Sequence, residues 1–176
     1  MSESIDITNL INSWYVVKTK SLAEKKVNER LMLNGFETYL PILTSWHIWS
    51  DRKKKVEKPL ISSVVFARTD TQNLRNIYPI SGVAGILTYL GKPAIVQDFE
   101  INNLRILLQQ DDISNLETKE RFEQGETVEV MRGPFKGIIA TALTEAGSFR
   151  LVVEIQSLGT GFTVNVPKSY VRKLKS

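Results

Sequence analysis

The sequence contains no cysteine, and it has a single histidine among its 176 residues. Without thiols the chain forms no disulfide scaffold, thiolate zinc site, iron–sulfur cluster or cysteine nucleophile. One histidine also excludes a metal site built from several histidines. We therefore expect neither a metal ion nor a cofactor.

Long apolar runs are missing as well. No segment approaches the ~18 apolar residues that a membrane-spanning helix requires. The first residues include Glu3 and Asp6, and they lack the basic and apolar parts of a secretory signal. We expect a cytoplasmic protein that does not associate with membranes.

The composition is that of an ordinary globular protein, with 42% hydrophobic and 24% charged residues. These proportions argue against whole-chain disorder, collagen or a coiled coil. The length gives room for one medium domain or two small ones. The net charge of +4 permits a polyanionic partner without requiring one.

The pattern of the first half indicates a small α+β sandwich with an antiparallel sheet. Ser21 and Glu24 match a capping box, and Ala23, Val27 and Leu31 form one apolar stripe of a helix over residues 22–34. A second helix is predicted with Asp98 as its N-cap residue and with Ile101, Leu104, Leu107 and Leu108 on one face. Strands are predicted at residues 13–18, 36–41, 44–50, 63–67 and 83–89, and a short helix at residues 72–77.

The pattern of the second half predicts a small antiparallel β-barrel. Val128 and Val130 alternate with a charged residue, and the apolar positions between Phe149 and Ile155 are spaced strictly by two. Glycines mark turns between these runs. The predicted organisation is a tail (residues 1–12), a first domain (residues 13–109), a polar linker (residues 110–121) and a second domain (residues 122–176).

Two motifs about 110 residues apart together resemble the NusG family of transcription elongation factors. The first is Trp14-Tyr-Val-Val-Lys-Thr-Lys, followed by the amphipathic helix, Gly35 and Pro41. The second is Gly125-x-x-Val-x-Val-x-x-Gly133-Pro-Phe-x-Gly137, which is similar to the KOW motif. The resemblance implies a NusG-type N-terminal α/β sandwich followed by a C-terminal KOW β-barrel.

The sequence departs from the family pattern at one segment. The usual P-L-F-P-G-Y-x-F reads Pro59-Leu-Ile-Ser-Ser-Val-Val-Phe66 in this chain, so two aromatic positions become Ile61 and Val64. The contact surface that the resemblance implies there is smaller and less aromatic. This departure favours a specialised paralogue, similar to the UpxY-like antiterminators of capsular-polysaccharide operons.

The resemblance implies that the first domain holds the clamp helices of the largest RNA polymerase subunit in an apolar pocket. An amphipathic helix in an apolar groove is a common mode of binding. Core burial remains open for Phe66 and Ile86, whereas Trp14 and Tyr89 are expected to be partly exposed anchors. The matching positions are Trp14, Ile61, Val64, Phe66, Ile86 and Tyr89.

Two groups of cations are candidates for contact with the non-template DNA strand or the nascent RNA. Phosphate attraction needs only cations on one face. A solvated helix surface and an exposed hairpin tip remain the alternatives for the two groups. The helix-side residues are Lys20, Lys26 and Arg30, and the second cluster is Arg52, Lys53, Lys54 and Lys55.

The resemblance also implies that the KOW domain recruits a ribosomal protein or a termination factor. Phe135, Ile138 and Phe162 lie near turns and are the candidate contacts, with barrel closure as the alternative for Phe162. The strict alternation up to Ile155 favours strands, so no refolding of this domain into helices is predicted.

The implied function is processive elongation and antitermination by a monomer, without catalysis. No G-x-S-x-G motif is present, and Gly91-Lys92-Pro93 lacks the spacing and the Ser/Thr of a phosphate-binding loop. His47 lies between two tryptophans, and the sequence identifies no partner group for it. The alternative function is a KOW-type RNA- or ribosome-binding module without polymerase binding.

Overall fold

The computed structural model describes residues 11–48, 51–110, 117–119, 125–145 and 148–174. The chain divides into two compact units, Met1–Val96 and Gln97–Ser176. Most of the predicted tail at residues 1–12 and most of the predicted linker at residues 110–121 lie outside the described residues, so that division of the chain stays a prediction. The helix that begins at Asp98, predicted to end the first domain, groups with the second unit.

An antiparallel sheet with the order β2-β5-β1-β6 forms the centre of the first unit, and β9 also pairs with β1. The strand β1 occupies the middle because its β-branched and aromatic residues suit burial on both faces. Trp14, Tyr15, Val16 and Val17 are all buried. The bounds are β1 Ser13–Thr19, β2 Glu37–Tyr39, β5 Val64–Thr69, β6 Val83–Ile86 and β9 Ile95–Val96.

The helix α1 spans Glu24–Leu33, and the predicted capping box is wrong. Ala23 is the N-cap residue, and Leu22 before it has a left-handed backbone, with φ of 59°. The Glu24 carboxylate is buried and accepts a hydrogen bond of 2.7 Å from the Ser63 backbone N–H. Because its oxygen is used there, Glu24 links the start of α1 to the turn before β5.

One face of this sheet packs against α1 and forms the core of the unit. Val27 and Leu31 of α1 meet Tyr15 and Val17 of β1, as the predicted stripe requires. The predicted short helix at residues 72–77 is a 3-10 turn, Asn73–Ile77, which adds Leu74 and Ile77 to the same core.

Two hairpins extend from the first unit. The longer one pairs β3 Ile42–Ile48 with β4 Lys53–Pro59 along seven residue pairs. The shorter one pairs β7 Thr88–Tyr89 with β8 Lys92–Pro93. Its turn residues, Leu90 and Gly91, have φ of 49° and 77°. Two positive values suit the tight two-residue turn that matches strand twist, although leucine rarely adopts this conformation.

The second unit contains a six-stranded antiparallel sheet with the order β10-β14-β13-β12-β11-β15. Its glycine-marked turns and alternating strands agree with the sequence pattern. Leu151, Val153 and Ile155 are buried as the alternation predicts, and Val152 between them is buried as well. The bounds are β10 Glu117–Lys119, β11 Thr127–Val130, β12 Ile139–Glu145, β13 Ser148–Ile155, β14 Thr160–Asn165 and β15 Val171–Lys173.

The helix α2, Asp98–Leu108, packs against β12 and β13. The apolar face was predicted correctly, because Ile101, Leu104 and Leu107 are buried. The predicted cap was not: the helix begins at Asp98, and the N-cap is Gln97, whose N–H donates to the Glu100 carboxylate at 2.7 Å. The mixed α/β class with antiparallel sheets and two α-helices is confirmed for the described residues.

Candidate functional site

Three of the six positions predicted to bind polymerase share one face of the first sheet. In the β1–β5 ladder Trp14 pairs with Arg68, Val16 with Phe66, and Lys18 with Val64, so these side chains point away from α1. Phe66 stacks on Tyr39, with ring centroids 6.3 Å apart. The sheet is therefore apolar on both faces, although α1 and the 3-10 turn pack on only one.

The burial of these residues differs from the expectation for an open pocket. Trp14 is 3% exposed, whereas partial exposure was predicted, and Val64 and Phe66 are also buried. The Arg68 guanidinium lies 5.9 Å from the Trp14 ring centroid, so a cation–π contact holds the indole. A large aromatic ring on a central strand can be buried by packing or exposed as an anchor for a partner. The residue pattern of the strand is the same in both cases, so the sequence did not reveal that Trp14 is buried.

Ile86 is separated from the other apolar positions. It pairs with Val17 in the β1–β6 ladder and therefore lies on the α1 side, where it belongs to the core. Core burial was an open alternative for Ile86, and the register places this side chain in the core. The strand β6 borders β1 on the edge opposite β5.

The remaining two positions are accessible. Tyr89 is 73% exposed on the short hairpin, and Ile61 is half-buried in the segment between β4 and β5. Leu90, which the sequence analysis did not select, lies beside Tyr89 at the turn and is 85% exposed. An exposed leucine in a left-handed backbone is unusual, and such strain often marks a functional segment. In the sequence, Gly91 directly after Tyr89-Leu90 was the feature that could have predicted this turn.

The helix-side cations are not equivalent. Lys20 and Lys26 are exposed. Arg30 is half-buried, and its Nη1 donates to the Ser81 carbonyl at 2.6 Å. Its guanidinium therefore contributes to fixing the loop before β6.

The basic cluster lies at the end of the longer hairpin. This position agrees with the exposed hairpin tip that was the alternative interpretation of the cluster. Arg52, Lys53, Lys54 and Lys55 are all exposed. Lys55 Nζ lies 2.9 Å from the Glu57 carboxylate, and Lys25 Nζ of α1 lies 3.9 Å from it. The hydrogen bond and charge of Lys55 lower the pKa of Glu57, and Lys25 contributes further.

The three KOW positions also differ in exposure. Phe135 is half-buried in the turn between β11 and β12, where its carbonyl accepts from the Ile138 N–H at 3.1 Å. Ile138 and Phe162 are buried in the unit, at 0% and 1% exposure. Among these three, Phe135 presents the only partly exposed ring.

Two polar residues that the sequence analysis did not select join α2 to its sheet. Asn103 is buried, its Nδ2 donates to the Ile139 carbonyl at 2.6 Å, and its Oδ1 accepts from the Ile139 N–H at 3.0 Å. Glu100 is buried and accepts from the Gln156 N–H at 2.7 Å. Their signal was present in the sequence, because they lie among the apolar positions of α2 at helical spacing.

Replacing Glu154 by glutamine is expected to stabilise the second unit at neutral pH. Burial, and secondarily the charge of Glu100, raise the pKa of Glu154 above its ordinary 4.5. Because the pKa is raised in the folded state, the parent chain loses stability as the pH rises from 4.5 through the folded-state pKa. The glutamine variant does not ionise, so it is expected to be more stable than the parent above the folded-state pKa and to show no such advantage below pH 4.5. Denaturation between pH 3.5 and 8 measures the difference.

Glu126→Gln is the matched control for this prediction. Glu126 forms an exposed ion pair of 2.7 Å with Lys173, so its amide variant is expected to lose at most about 1 kcal/mol at neutral pH. Equal stability of Glu154→Gln and the parent at neutral pH would contradict the prediction.

The described residues form neither a cluster of metal ligands nor a membrane-spanning helix. That part of the chain contains no group of three or more His, Asp or Glu side chains able to hold a metal ion. None of its helices is both long enough and apolar enough to cross a membrane.

Comparison with known proteins gives a consistent result. The family model NusG, described as "Transcription termination factor nusG", matches residues 12–105. The "Transcription termination/antitermination protein NusG" of Rickettsia prowazekii is 26% identical, covering 94% of this chain and 92% of that protein. Its counterpart in Rickettsia conorii is 27% identical, covering 93% and 91%. A solved structure titled "Domain interaction in Thermotoga maritima NusG" matches with a TM-score of 0.50 and 21% identity, covering 94% of this chain and 98% of the other.

Proposed function

Because this chain belongs to the NusG family, whose relatives are transcription termination/antitermination proteins, we propose that it binds the clamp helices of the largest RNA polymerase subunit and promotes processive elongation and antitermination. The observation that carries the proposal is the exposed apolar tip of the short hairpin. Tyr89 and Leu90 present two large side chains next to each other. Aromatic residues of this kind serve as anchors at protein interfaces.

The tip is fixed to the centre of the first sheet. The Leu87 N–H donates to the Val16 carbonyl at 2.9 Å, and the Ala94 N–H donates to the Leu87 carbonyl at 2.9 Å. The residues on both sides of the turn are thus held by β1 and its neighbours. A rigid anchor loses little conformational entropy on binding, which favours affinity.

The predicted apolar positions then take different roles. Tyr89 contacts the clamp helices with Leu90, and Ile61 adds partly exposed apolar surface. Trp14, Val64 and Phe66 shape this site through packing, and Ile86 supports it from the core. Because Ile61 and Val64 replace family aromatics, we propose an operon-specific role rather than a general one.

The mechanism requires binding and no bond making or breaking. A protein that binds the closed clamp more tightly than the open clamp shifts the population toward the closed, elongating state. The size of the shift is set by the difference between the two affinities. As a polymerase partner, the monomeric chain would act in the cytoplasm.

Two further contacts belong to the proposal. Lys20, Lys26 and the hairpin cations Arg52–Lys55 would approach nucleic acid at the polymerase surface, whereas Arg30 is assigned to structure. In the second unit, Phe135 would contact a ribosomal protein or termination factor. Ile138 and Phe162 would support that surface from the interior.

Tyr89→Ala is expected to weaken binding of the full chain to a purified clamp-helix fragment by ~1–3 kcal/mol, because it removes the exposed anchor. Titration calorimetry measures the affinity, and readthrough of a terminator in a reconstituted transcription assay should fall with it. Tyr78→Ala is the matched control, since Tyr78 is also exposed, at 52%.

The same titration separates the proposal from its alternative. Unchanged clamp binding by folded Tyr89→Ala would remove the anchor from the mechanism. RNA binding by the second unit, with no binding of the parent chain to the clamp helices, would favour a KOW-type RNA- or ribosome-binding module.

A further inference from the structure

We propose that a polar cleft at one end of the first sheet is a binding site for a neutral saccharide, held through its hydroxyl groups by side-chain amides and one buried threonine. The cleft lies where β5 ends, where β1 and β2 begin, and where α1 ends. Its volume is about 570 Å³, within the range of roughly 300–1,000 Å³ that small-molecule sites occupy. We call it the amide cleft, after the four asparagines that line it: Asn12, Asn34, Asn73 and Asn76.

The buried threonine is Thr69, the last residue of β5. It pairs with Ser13 in the β1–β5 ladder and follows Ala67 by two residues, so its side chain lies on the α1 side of the sheet. Thr69 is 5% exposed and lines the cleft, and its hydroxyl has no hydrogen-bond partner in the described part of the chain. Side-chain polar groups buried to this extent normally have a partner. A ligand hydroxyl in the cleft would supply it.

The asparagine side chains are held in place and still have atoms available for a ligand. Asn34 Nδ2 donates to the Arg30 carbonyl at 2.8 Å, and Asn76 Nδ2 donates to Asn73 Oδ1 at 3.2 Å. The Oδ1 atoms of Asn34 and Asn76 accept no hydrogen bond from the described residues. A hydroxyl both donates and accepts, so it can pair with either end of a carboxamide. A ligand with many hydroxyls therefore matches this lining.

Hydrogen bonds fix the wall of the cleft that the 3-10 turn provides. The Asp70 carboxylate accepts from the Asn73 N–H at 2.8 Å and from Asn73 Nδ2 at 2.7 Å. Asn73 in turn orients Asn76, and Leu74 and Ile77 anchor the turn in the core. A site that is formed before the ligand arrives loses little conformational entropy on binding.

The charges at the cleft disfavour an ionic ligand. Among the described residues, one cation and one anion line it, Arg68 and Asp70. The Arg68 guanidinium already lies over the Trp14 ring and 3.7 Å from the Glu37 carboxylate. Hydrogen bonds from Asn73 lower the pKa of Asp70, so this group is ionised at neutral pH. Because α1 also ends here, its dipole adds partial negative charge, and an anion would be repelled.

The distribution of polar and apolar surface also selects the ligand class. An apolar ligand would leave the amides and the threonine hydroxyl without partners, which costs affinity. Phe36 is half-buried, and it is the one aromatic residue among those that line the cleft in the described chain. Its ring offers a small apolar surface on which the C–H groups of one sugar face can pack. Polar groups around it would pair with the hydroxyls.

Binding is tested on the full chain by saturation-transfer difference NMR. The neutral sugars used as probes are glucose, galactose, mannose and N-acetylglucosamine. Three further probes are glucose phosphate, adenosine, and N-acetylglycine amide as an analogue of a peptide backbone. At least one neutral sugar is expected to bind, and to bind more tightly than the three further probes. The inference goes beyond the proposed function and does not depend on it, because no polymerase is present.

Thr69→Val is expected to weaken binding of that sugar roughly twofold to tenfold, the range for loss of one hydrogen bond. Thr69→Ser keeps the hydroxyl and should bind nearly as tightly as the parent, which separates loss of the hydroxyl from a disturbed fold. Asn76→Ala should weaken binding by a similar factor. The matched control is Gln72→Ala, because it removes an exposed carboxamide next to the same turn that does not line the cleft.

Several results would overturn the inference. Binding of none of the four neutral sugars would do so, and so would equal affinity of Thr69→Val and the parent. Tighter binding of glucose phosphate would make the cleft an anion site, and tighter binding of adenosine or N-acetylglycine amide would assign it to a nucleoside or a peptide. Failure of Tyr89→Ala to affect clamp binding, with the Thr69 effect intact, would instead reject only the proposed function.

Discussion

Replacing Asn103 by leucine is expected to lower the free energy of unfolding of the second unit by about 2–4 kcal/mol. The variant keeps a similar volume on the buried face of α2 but removes both hydrogen bonds to Ile139. A buried backbone group left without a partner costs roughly 1–3 kcal/mol, and here a donor and an acceptor are both lost. Hydrogen exchange of the β12 amides in the full chain reports the loss.

The adjacent residue supplies the control. Asn102 is exposed on the same helix, so Asn102→Leu should change the stability by no more than about 0.5 kcal/mol. If the β12 amides exchange equally slowly in Asn103→Leu and Asn102→Leu, the Asn103 side chain does not hold α2 against the sheet. The comparison also holds helix propensity constant, since both variants exchange asparagine for leucine.

Phe66→Ala is the second large effect, with an expected loss of roughly 3–5 kcal/mol of stability in the first unit. Phe66 has 0% exposure, lies on a central strand and stacks on Tyr39. Removing the ring leaves a cavity that the surrounding β-sheet cannot close. Exchange protection of the β1 and β5 amides, followed by mass spectrometry, measures the destabilisation.

Tyr89→Ala completes this experiment because it removes the exposed aromatic residue of the same predicted set. It should leave exchange protection of β1 and β5 nearly unchanged while weakening clamp-helix binding. Loss of less than about 1 kcal/mol in Phe66→Ala would show that the ring is not packed as a core residue. The two variants thus separate a structural role from a contact role within one predicted set.

The first unit shows what the residue pattern could determine. The strand at Ser13 and the stripe of Val27 and Leu31 follow from local periodicity, and both are present. The capping box at Ser21 and Glu24 was wrong because Glu24 finds a partner 39 residues away, in Ser63. A local motif cannot predict that a distant backbone N–H takes its side chain.

The candidate site was less predictable, for a related reason. Trp14, Phe66 and Tyr89 are all large aromatic residues in strand-like segments, yet two are buried and one is exposed. The face on which each lies depends on register, and register depends on pairing between segments about 50 to 70 residues apart. Asn103 and Glu100 likewise have partners that are distant in sequence.

The unusual backbone conformation of Ser63 is held by hydrogen bonds to two other elements. The backbone of Ser63 has φ of 58°, a left-handed conformation that glycine adopts freely and that other residues rarely adopt. Its carbonyl accepts from the Thr19 N–H at 2.9 Å, and its own N–H donates to Glu24 at 2.7 Å. These two hydrogen bonds stabilise a backbone conformation that serine rarely adopts. A residue other than glycine can therefore occupy this turn without a change in the path of the backbone.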